Sequence, residues 1–416
     1  MLGYLNTLIF IVFLFNFMVV HPYIWGNHNK ELYFGLIFGV SLLFLLVKNT
    51  RARFIGLLLV IILLYVGGLT SAIGNRYRSS TWAFVHDSVL QNEVAGRFLL
   101  LGRNPYVENY IGSGLENVPY DEGDGREENP ALHHLASLPL PLLINAHPQI
   151  LFAKIFGFYD GRYSYYLVLG LFIFIVAKFF KISTVRNLFF ILFFLNPLTA
   201  RFFIEGRSDF LISFLLFATV YALFQKHYRL AGIVYALAVV SKLTAWILIP
   251  FIAIYLYKNK DLKSFKQFFG PVLLISVLLI VPFLVWDFHA FVEDNFLYLG
   301  GGGTGNYPIT GYGFSQILLN LGIIDSPYAK FPFWITQAIV GIPLLIYLMK
   351  RQIAANTLGN MVMSYGIFLF VIWYFSHHFN DSYFIFLTQI FTISFFVLLN
   401  ERKSLTKTLL SKLKSD

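Results

Sequence analysis

Asp87 is the residue of this sequence best placed for chemistry, because it ends an apolar stretch and opens the longest polar interval of the chain. A carboxylate at a membrane boundary, followed by an amphipathic helix, predicts a general base that accepts a proton from a hydroxyl group. The other interpretation is a helix cap, since Ser88 and Gln91 have the spacing of a capping box and an acidic neighbour stabilises the helix dipole. The polar residues that we expect around Asp87 are His86, Gln91, Glu93, Arg97, Asn104 and Tyr106.

A second polar cluster, Glu205-Gly-Arg-Ser-Asp209, separates two later apolar segments. Arg207 is a candidate for binding a phosphate, and Asp209 or Glu205 is a candidate for binding acceptor hydroxyl groups or a metal. Alternatively, Asp209 caps the helix that follows it.

Lys242 and His377-His378 are further candidates for binding a phosphate. Lys242 lies between two short apolar segments, where an ammonium group requires an anion unless it snorkels to the membrane surface. His377-His378 and the pair His133-His134 either form ordinary polar turns or provide a histidine that bonds a phosphate or sugar. Adjacent histidines point in different directions, so neither pair matches a common zinc motif.

The composition requires a membrane protein. Hydrophobic residues make up 57% of the chain and charged residues 12%, with a mean hydropathy of +0.68, whereas soluble domains are roughly 45–50% apolar and 25% charged. The chain has no cysteine, which excludes disulfides, thiol nucleophiles and Cys-ligated metal sites. Twelve apolar segments are long enough to be candidate spans, and they predict an all-α integral membrane protein. These segments are 3–20, 32–47, 54–73, 163–180, 187–204, 209–224, 230–241, 243–257, 268–286, 332–349, 357–375 and 383–399.

The distribution of charge orients these segments. Most of the 31 Lys and Arg residues fall in the short loops and the tail of one side of the membrane. Of the 21 acidic residues, only Asp261, Glu401 and Asp416 fall on that side. The positive-inside rule then places both termini in the cytoplasm of a cell whose plasma membrane holds the protein. It also argues against nucleic acid as the partner of this basic chain.

We therefore predict a single polytopic membrane domain, 1–416, with two long outer segments, 74–162 and 287–331, and a basic cytoplasmic tail, 400–416. Apolar residues at helical spacing from Ser88 to Gly102 predict an amphipathic helix on the membrane surface. A second interfacial helical region is expected from Pro130 to about Pro148. The glycine run from Gly300 to Gly305 predicts either a lid that closes over a bound substrate or a passive loop.

The motif Asp87 … Glu93-x-Ala-Gly-Arg97-x-Leu-Leu-x-Gly-Arg-Asn104-Pro-Tyr106 resembles membrane glycosyltransferases of the GT-C class, which use polyprenyl-phosphate sugars. It is most similar to glycosyltransferase family 87, the polyprenol-phosphate-mannose-dependent α-mannosyltransferases. Further matches, in order, are Asn196-Pro197, Gly206-Arg-Ser-Asp209, Ala231-Gly232, Ser241-Lys242 and Pro250, so that the similarity covers roughly residues 80–260.

The resemblance implies a GT-C-like fold and an inverting transfer of a sugar, mannose in this branch, from a polyprenyl phosphate to an acceptor on the outer face. It also implies that Asp87 is the base and that the polar residues expected around Asp87 bind the sugar or the acceptor. The acceptor would be a glycan, a glycolipid or a protein, and the partners are membrane lipids rather than nucleic acid. No cofactor is expected, although some relatives use a divalent metal. The rival hypothesis is a transporter or flippase, which would need charged or broken helices near the bilayer midplane and internal symmetry.

Overall fold

The structure is a computed structural model that describes residues 2–20, 30–79, 84–118, 128–259, 261–303 and 307–412. The chain divides into two compact units. Unit 1 comprises 1–90 and 152–211, and unit 2 comprises 91–151 and 212–416. The described residues are mostly helical, which confirms the all-α class.

Unit 1 is a set of apolar helices whose aromatic side chains form its core. The Tyr65 hydroxyl donates to the Phe194 carbonyl at 2.7 Å, and the Tyr65 ring contacts Phe203 and Phe210. A π-helical turn, Leu63–Gly67, carries Tyr65 in the middle of a continuous helix. The helices of this unit are α1 (Leu2–Val20), α2 (Lys30–Leu46), α3 (Thr50–Ile62), α4 (Gly68–Arg78), α7 (Tyr163–Phe179), α8 (Ser183–Phe194) and α9 (Pro197–Glu205).

The predicted span 187–204 is not one straight helix. It breaks between α8 and α9 with a bend of 59°. Asn196 accepts from the Leu198 amide, and Pro197 occupies the first turn of α9, so this Asn-Pro pair starts a new helix.

Three helices have residues in both units: α5 (Asp87–Leu100), α6 (Pro139–Phe156) and α10 (Asp209–Phe224). Within α5, Leu90 and Val94 are buried, as the helical spacing predicts. The helix α6 passes through Pro148 and ends eight residues later, so the expected end near Pro148 is wrong.

Unit 2 contains the remaining helices. The helix α11 (Tyr228–Val239) ends at a break, a 3-10 segment follows at Leu243–Leu248, and α12 (Ile249–Asn259) continues from it. Glycines allow the closest helix contacts, since a Cβ on Gly232 would lie 2.9 Å from the Phe268 carbonyl carbon. The other helices are α13 (Leu262–Trp286), α14 (Phe288–Val292), α15 (Phe314–Asn320), α16 (Phe333–Ala354), α17 (Leu358–Tyr374) and α18 (Asp381–Lys412).

The segment 287–331 is folded, not a plain loop. A π-helical turn, Glu293–Leu297, follows α14, and α15 packs over a small core of Ile309, Leu318, Ile324 and Phe333. Strand β1 (Thr310–Gly311) pairs in parallel with β2 (His378–Phe379), with Thr310 opposite His378. This pairing ties the segment to the turn between α17 and α18.

Four helices among the described residues are long and apolar enough to cross a membrane, and the bent pair of α8 and α9 would be a fifth. The other predicted apolar segments lie in shorter helices. The structure is therefore that of a membrane-type helical protein, while a count of twelve spans stays a prediction. The four long helices are Thr50–Arg78, Leu262–Trp286, Phe333–Ala354 and Asp381–Arg402.

Candidate functional site

Asp87 is the first residue of α5 and is partly exposed, with 28% of its side chain accessible. Its carboxylate Oδ1 accepts from the Ser88 amide at 2.6 Å and lies 2.8 Å from His86 Nδ1. The Ser88 hydroxyl bonds His86 Nδ1 at 2.8 Å, while the Gln91 amide contacts backbone elsewhere. The expected Ser88–Gln91 capping box is therefore wrong. Asp87 lies where a helix N-terminus stabilises negative charge.

The cluster Glu205–Asp209 lies beside the Asp87 segment within unit 1. The His86 amide donates to the Glu205 carbonyl at 2.9 Å. Gly206 has φ +83°, and a Cβ there would lie 2.6 Å from Val89 Cγ2, so only glycine fits the contact. The structure thus brings together His86, Asp87, Glu205 and Arg207, four residues that sequence places in two distant motifs.

Glu205 already has two cationic partners. Arg201 Nε donates to its Oε1 at 2.6 Å, and Arg207 Nε donates to its Oε2 at 2.9 Å. The Arg207 guanidinium also lies over the Phe202 ring at 4.0 Å from the centroid. Asp209 begins α10, as the helix-cap interpretation predicts for the start of that helix, and its side chain is buried. A phosphate role for Arg207 requires it to share its charge between Glu205 and the ligand.

A buried ionic cluster supports both segments, and sequence reasoning missed it. Asp160 Oδ2 accepts from Arg76 Nη1 at 2.8 Å and from Arg162 Nη2 at 2.7 Å. Arg162 Nη1 donates to the carbonyls of Phe84 and Ile204, each at 2.7 Å. Arg162 thereby links the residues that precede Asp87 to those that precede Glu205. The available signal was the Asp-x-Arg spacing at 160–162, immediately before an apolar helix.

The electrostatics of this cluster favour its charged form. Burial by itself would raise the pKa of Asp160, but the charges and hydrogen bonds of Arg162 and the charge of Arg76 hold that pKa well below its usual range. Both side chains of the Asp160–Arg162 pair are fully buried.

The remaining predicted ligands of α5 and the turn after it lie in unit 2. Gln91 is buried, and its amide nitrogen donates to the carbonyls of Ala131 and His134 at 2.6 and 2.7 Å. Glu93 is also buried, whereas Arg97 is exposed. In the turn, Asn104 Oδ1 accepts from the Tyr106 amide, and the Tyr106 hydroxyl donates to the Ser137 carbonyl at 2.7 Å. These hydrogen bonds lie within the protein and do not test sugar binding, so the sugar-binding roles stay predictions.

Lys242 lies in the break after α11, in extended backbone with φ −157°. The Leu140 amide donates to the Val240 carbonyl at 3.1 Å, and Trp246 Nε1 donates to the Val239 carbonyl at 2.7 Å. These bonds hold the break rigidly and leave the lysine half-buried beside it. Its phosphate role also stays a prediction.

His377 and His378 are buried and bonded within the protein. His377 Nε2 bonds the Tyr307 carbonyl at 2.5 Å. His378 Nδ1 bonds the Thr310 hydroxyl, while its Nε2 faces the amide nitrogen of Asn380, whose oxygen is fixed by Ser382.

Both imidazoles are therefore neutral and offer no N–H to a phosphate. Burial, and secondarily the charge of His377, lowers the pKa of His378 to about 3. The pKa of His377 is lowered by burial as well. The predicted phosphate role of His377 and His378 has no support in this geometry.

The glycine run is closely packed where it is described. Gly301 has φ +74°, and a Cβ there would lie 2.5 Å from His377 Nδ1; a Cβ on Gly303 would lie 2.6 Å from Glu293 Oε1. These glycines permit a tight path. Residues 304–306 of the predicted lid lie outside the described residues, and its closure stays a prediction.

No family model, curated protein or solved structure matches this chain. Within the residues that the structure describes, no group of three or more His, Asp or Glu side chains could hold a metal ion. The residues described above are therefore the basis of the proposed function.

Proposed function

We propose that the protein is a membrane glycosyltransferase that moves a sugar from a polyprenyl phosphate to an acceptor hydroxyl group. The donor sugar is mannose, and Asp87 is the general base. The observation that carries the proposal is the position of Asp87, a partly exposed carboxylate at a helix N-terminus, with the polar segment at Glu205 bonded to its neighbour His86.

The reaction needs one base and one good leaving group. As the acceptor oxygen attacks C1 of the sugar, its proton passes to the Asp87 carboxylate. The bond from C1 to the phosphate oxygen breaks at the same time, and the lipid phosphate keeps the electron pair. A single displacement of this kind inverts the anomeric centre.

Cationic side chains support departure of the phosphate in this proposal. In unit 1, Arg201 and Arg207 together carry one more charge than the Glu205 that they share. The phosphate role of Lys242 rests on the sequence alone. Positive groups fixed before the reaction stabilise the charge that develops on the leaving phosphate.

The test is Asp87→Asn, which keeps the shape of the side chain but removes its basicity. Loss of a general base slows a reaction by about 10²–10⁴-fold. Cells that lack the native gene would be complemented with wild-type or variant protein, and the hexose content of their lipid-linked and surface glycans measured by mass spectrometry. The matched control is Asp325→Asn, an exposed aspartate of segment 287–331.

We expect wild-type and Asp325→Asn proteins to restore the same glycans and Asp87→Asn to leave them truncated by a hexose. Glycans that are identical with and without the gene would refute the transferase. Full restoration by Asp87→Asn would refute the assignment of the base and leave Asp87 as a helix cap.

A further inference from the structure

A carboxylate–imidazole pair lies in unit 2, outside the residues assigned above. His134 precedes α6, and Asp294 lies in the π-helical turn after α14. His134 Nδ1 is 2.9 Å from Asp294 Oδ1, and the Leu135 amide donates to Asp294 Oδ2 at 2.9 Å. Both carboxylate oxygens are thus used, one to orient the ring and one to hold its backbone.

The imidazole is fixed on its other sides too. The Tyr298 ring stacks on it at 4.2 Å with an interplanar angle of 20°. The Gln91 amide donates to the His134 carbonyl. A side chain held at its backbone, at one ring nitrogen and on one ring face has a fixed direction for its second nitrogen.

That second nitrogen, Nε2, has no hydrogen-bond partner among the described residues. It is also absent from the buried side-chain atoms of those residues that have no partner, so it is accessible. The His134 side chain is 13% exposed, compared with 5% for Asp294. Because Asp294 accepts from Nδ1–H, Nε2 carries the lone pair and faces accessible space as a hydrogen-bond acceptor.

We propose that His134 Nε2, positioned by Asp294, is a binding site for a carbohydrate hydroxyl group. This inference rests on the proposed function for the class of ligand. The hydroxyl donates to Nε2, so the site contributes to binding and not to the transfer itself. Asp294 is a positioning residue, since it acts only through the imidazole.

The surroundings of Asp294 act on its carboxyl group. Burial raises the pKa of Asp294, the bonds from His134 and Leu135 partly oppose this, and the charge of Glu293 adds to it. Tyr106 and Tyr110 also interact with Asp294, and burial raises the pKa of each.

The first test needs no variant. Full-length protein in lipid nanodiscs is treated with diethyl pyrocarbonate, which acylates unprotonated imidazole nitrogens, and modification is followed by mass spectrometry. We expect His134 to react, methyl α-mannoside to slow its reaction about threefold or more, and exposed His133 to react equally with or without the sugar. Protection follows the occupancy of the site, so a threefold slowing corresponds to a sugar concentration of about twice its Kd. An unreactive His134, or no protection by the sugar, would overturn the proposal.

The second test separates ligand binding from a structural tie. In His134→Asn, the side-chain amide can still donate to Asp294, while the group corresponding to Nε2 is gone. We expect the acceptor KM for transfer from polyprenyl-phosphate mannose to rise about 3–10-fold with kcat nearly unchanged. His133→Asn, beside an exposed Glu128 contact, is the control and should match wild type. An unchanged KM in His134→Asn would show that the His134–Asp294 pair has only a structural role.

Asp294→Asn tests the positioning role. Without the carboxylate, the Nδ1–H of His134 has a weaker acceptor and the ring is less firmly oriented, so methyl α-mannoside should protect His134 less than in the wild-type protein. Equal protection in the two proteins would contradict that role. If wild-type protein transfers no sugar while methyl α-mannoside still protects His134, the transferase fails and the carbohydrate site stands.

Discussion

At the scale of single residues, the buried cluster of Arg76, Asp160 and Arg162 determines the geometry around Asp87. The buried Arg162 guanidinium pairs with the Asp160 carboxylate and donates to the backbone carbonyls of residues 84 and 204, so it bonds two neighbouring chain segments. Such a charge is stable in the interior only while each of its donors is satisfied.

Asp160→Asn is expected to destabilise the fold by about 3–5 kcal/mol, because it removes the carboxylate charge that the fully buried Arg162 guanidinium pairs with. The measurement is the thermal unfolding midpoint in detergent micelles. The control is Glu128→Gln, which breaks an exposed contact with His133 and should cost less than about 1 kcal/mol. Equal midpoints for the two variants would show that the cluster contributes little.

Asp160 should stabilise the fold equally at neutral pH and in mild acid. The pKa of Asp160 is lower in the folded protein than the roughly 3.9 of an unfolded aspartate. Its stabilising contribution is therefore complete above about pH 4 and declines only as the pH falls below that value. The unfolding midpoint of wild type should not fall between pH 7 and pH 5 on account of this group.

Sequence identified Asp87 and Glu205 because each interrupts an apolar stretch, which is costly in a membrane protein. It did not identify Arg162 or Asp294, whose partners are distant in the chain: Arg162 contacts residues 84 and 204, and Asp294 contacts residue 134. Periodicity and local spacing contain no information on pairs so far apart.

At the scale of helices, glycines set how closely elements approach. Gly232 of α11 faces the Phe268 backbone of α13, whereas Gly270 of α13 has open space around it. The sequence motif around Gly232 therefore has a packing explanation that is independent of any ligand.

Gly232→Ala should lower stability by about 1–3 kcal/mol, because the added methyl group forces two helix backbones apart. Gly270→Ala, on the partner helix, should be neutral or stabilising by up to about 1 kcal/mol, because alanine favours helix. Thermal midpoints in one detergent compare the two. If Gly270→Ala proved the more damaging change, the contact between α11 and α13 would be misassigned.

The positions of helices were largely predictable, and their breaks were not. The predicted apolar segments lie in helical parts of the chain, because burying or embedding apolar side chains requires backbone hydrogen bonds within the segment. Two are not single α-helices: 187–204 is divided between α8 and α9, and 243–257 begins in a 3-10 segment. The bend at Asn196-Pro197, the passage of α6 through Pro148 and the folding of segment 287–331 depend on tertiary contacts. The pairing of Thr310 with His378 is such a contact.

At the scale of the whole molecule, the charge asymmetry of the loops predicts which residues face the cytoplasm. The absence of cysteine gives a direct test, since any thiol introduced is the only one present. In Asn117→Cys the thiol should be outside, and in Lys263→Cys it should be inside. Both positions are exposed.

A membrane-impermeant maleimide applied to intact cells should label Asn117→Cys and leave Lys263→Cys unlabelled until the membrane is permeabilised. The reverse pattern would invert the predicted orientation and place Asp87 on the cytoplasmic side. Labelling of both in intact cells would contradict an intervening membrane.

The β1–β2 pairing also fixes an order of events during synthesis. Residue 310 leaves the ribosome 68 residues before its partner His378, which at about 5–20 residues per second is a delay of roughly 3–14 s. Segment 287–331 therefore waits, without the hydrogen bonds of that pairing, while α16 and α17 are made. A chain that stops before residue 378 never completes this segment, and quality-control proteases have an unprotected substrate there. The β1–β2 pairing can therefore form only after α17 has been made.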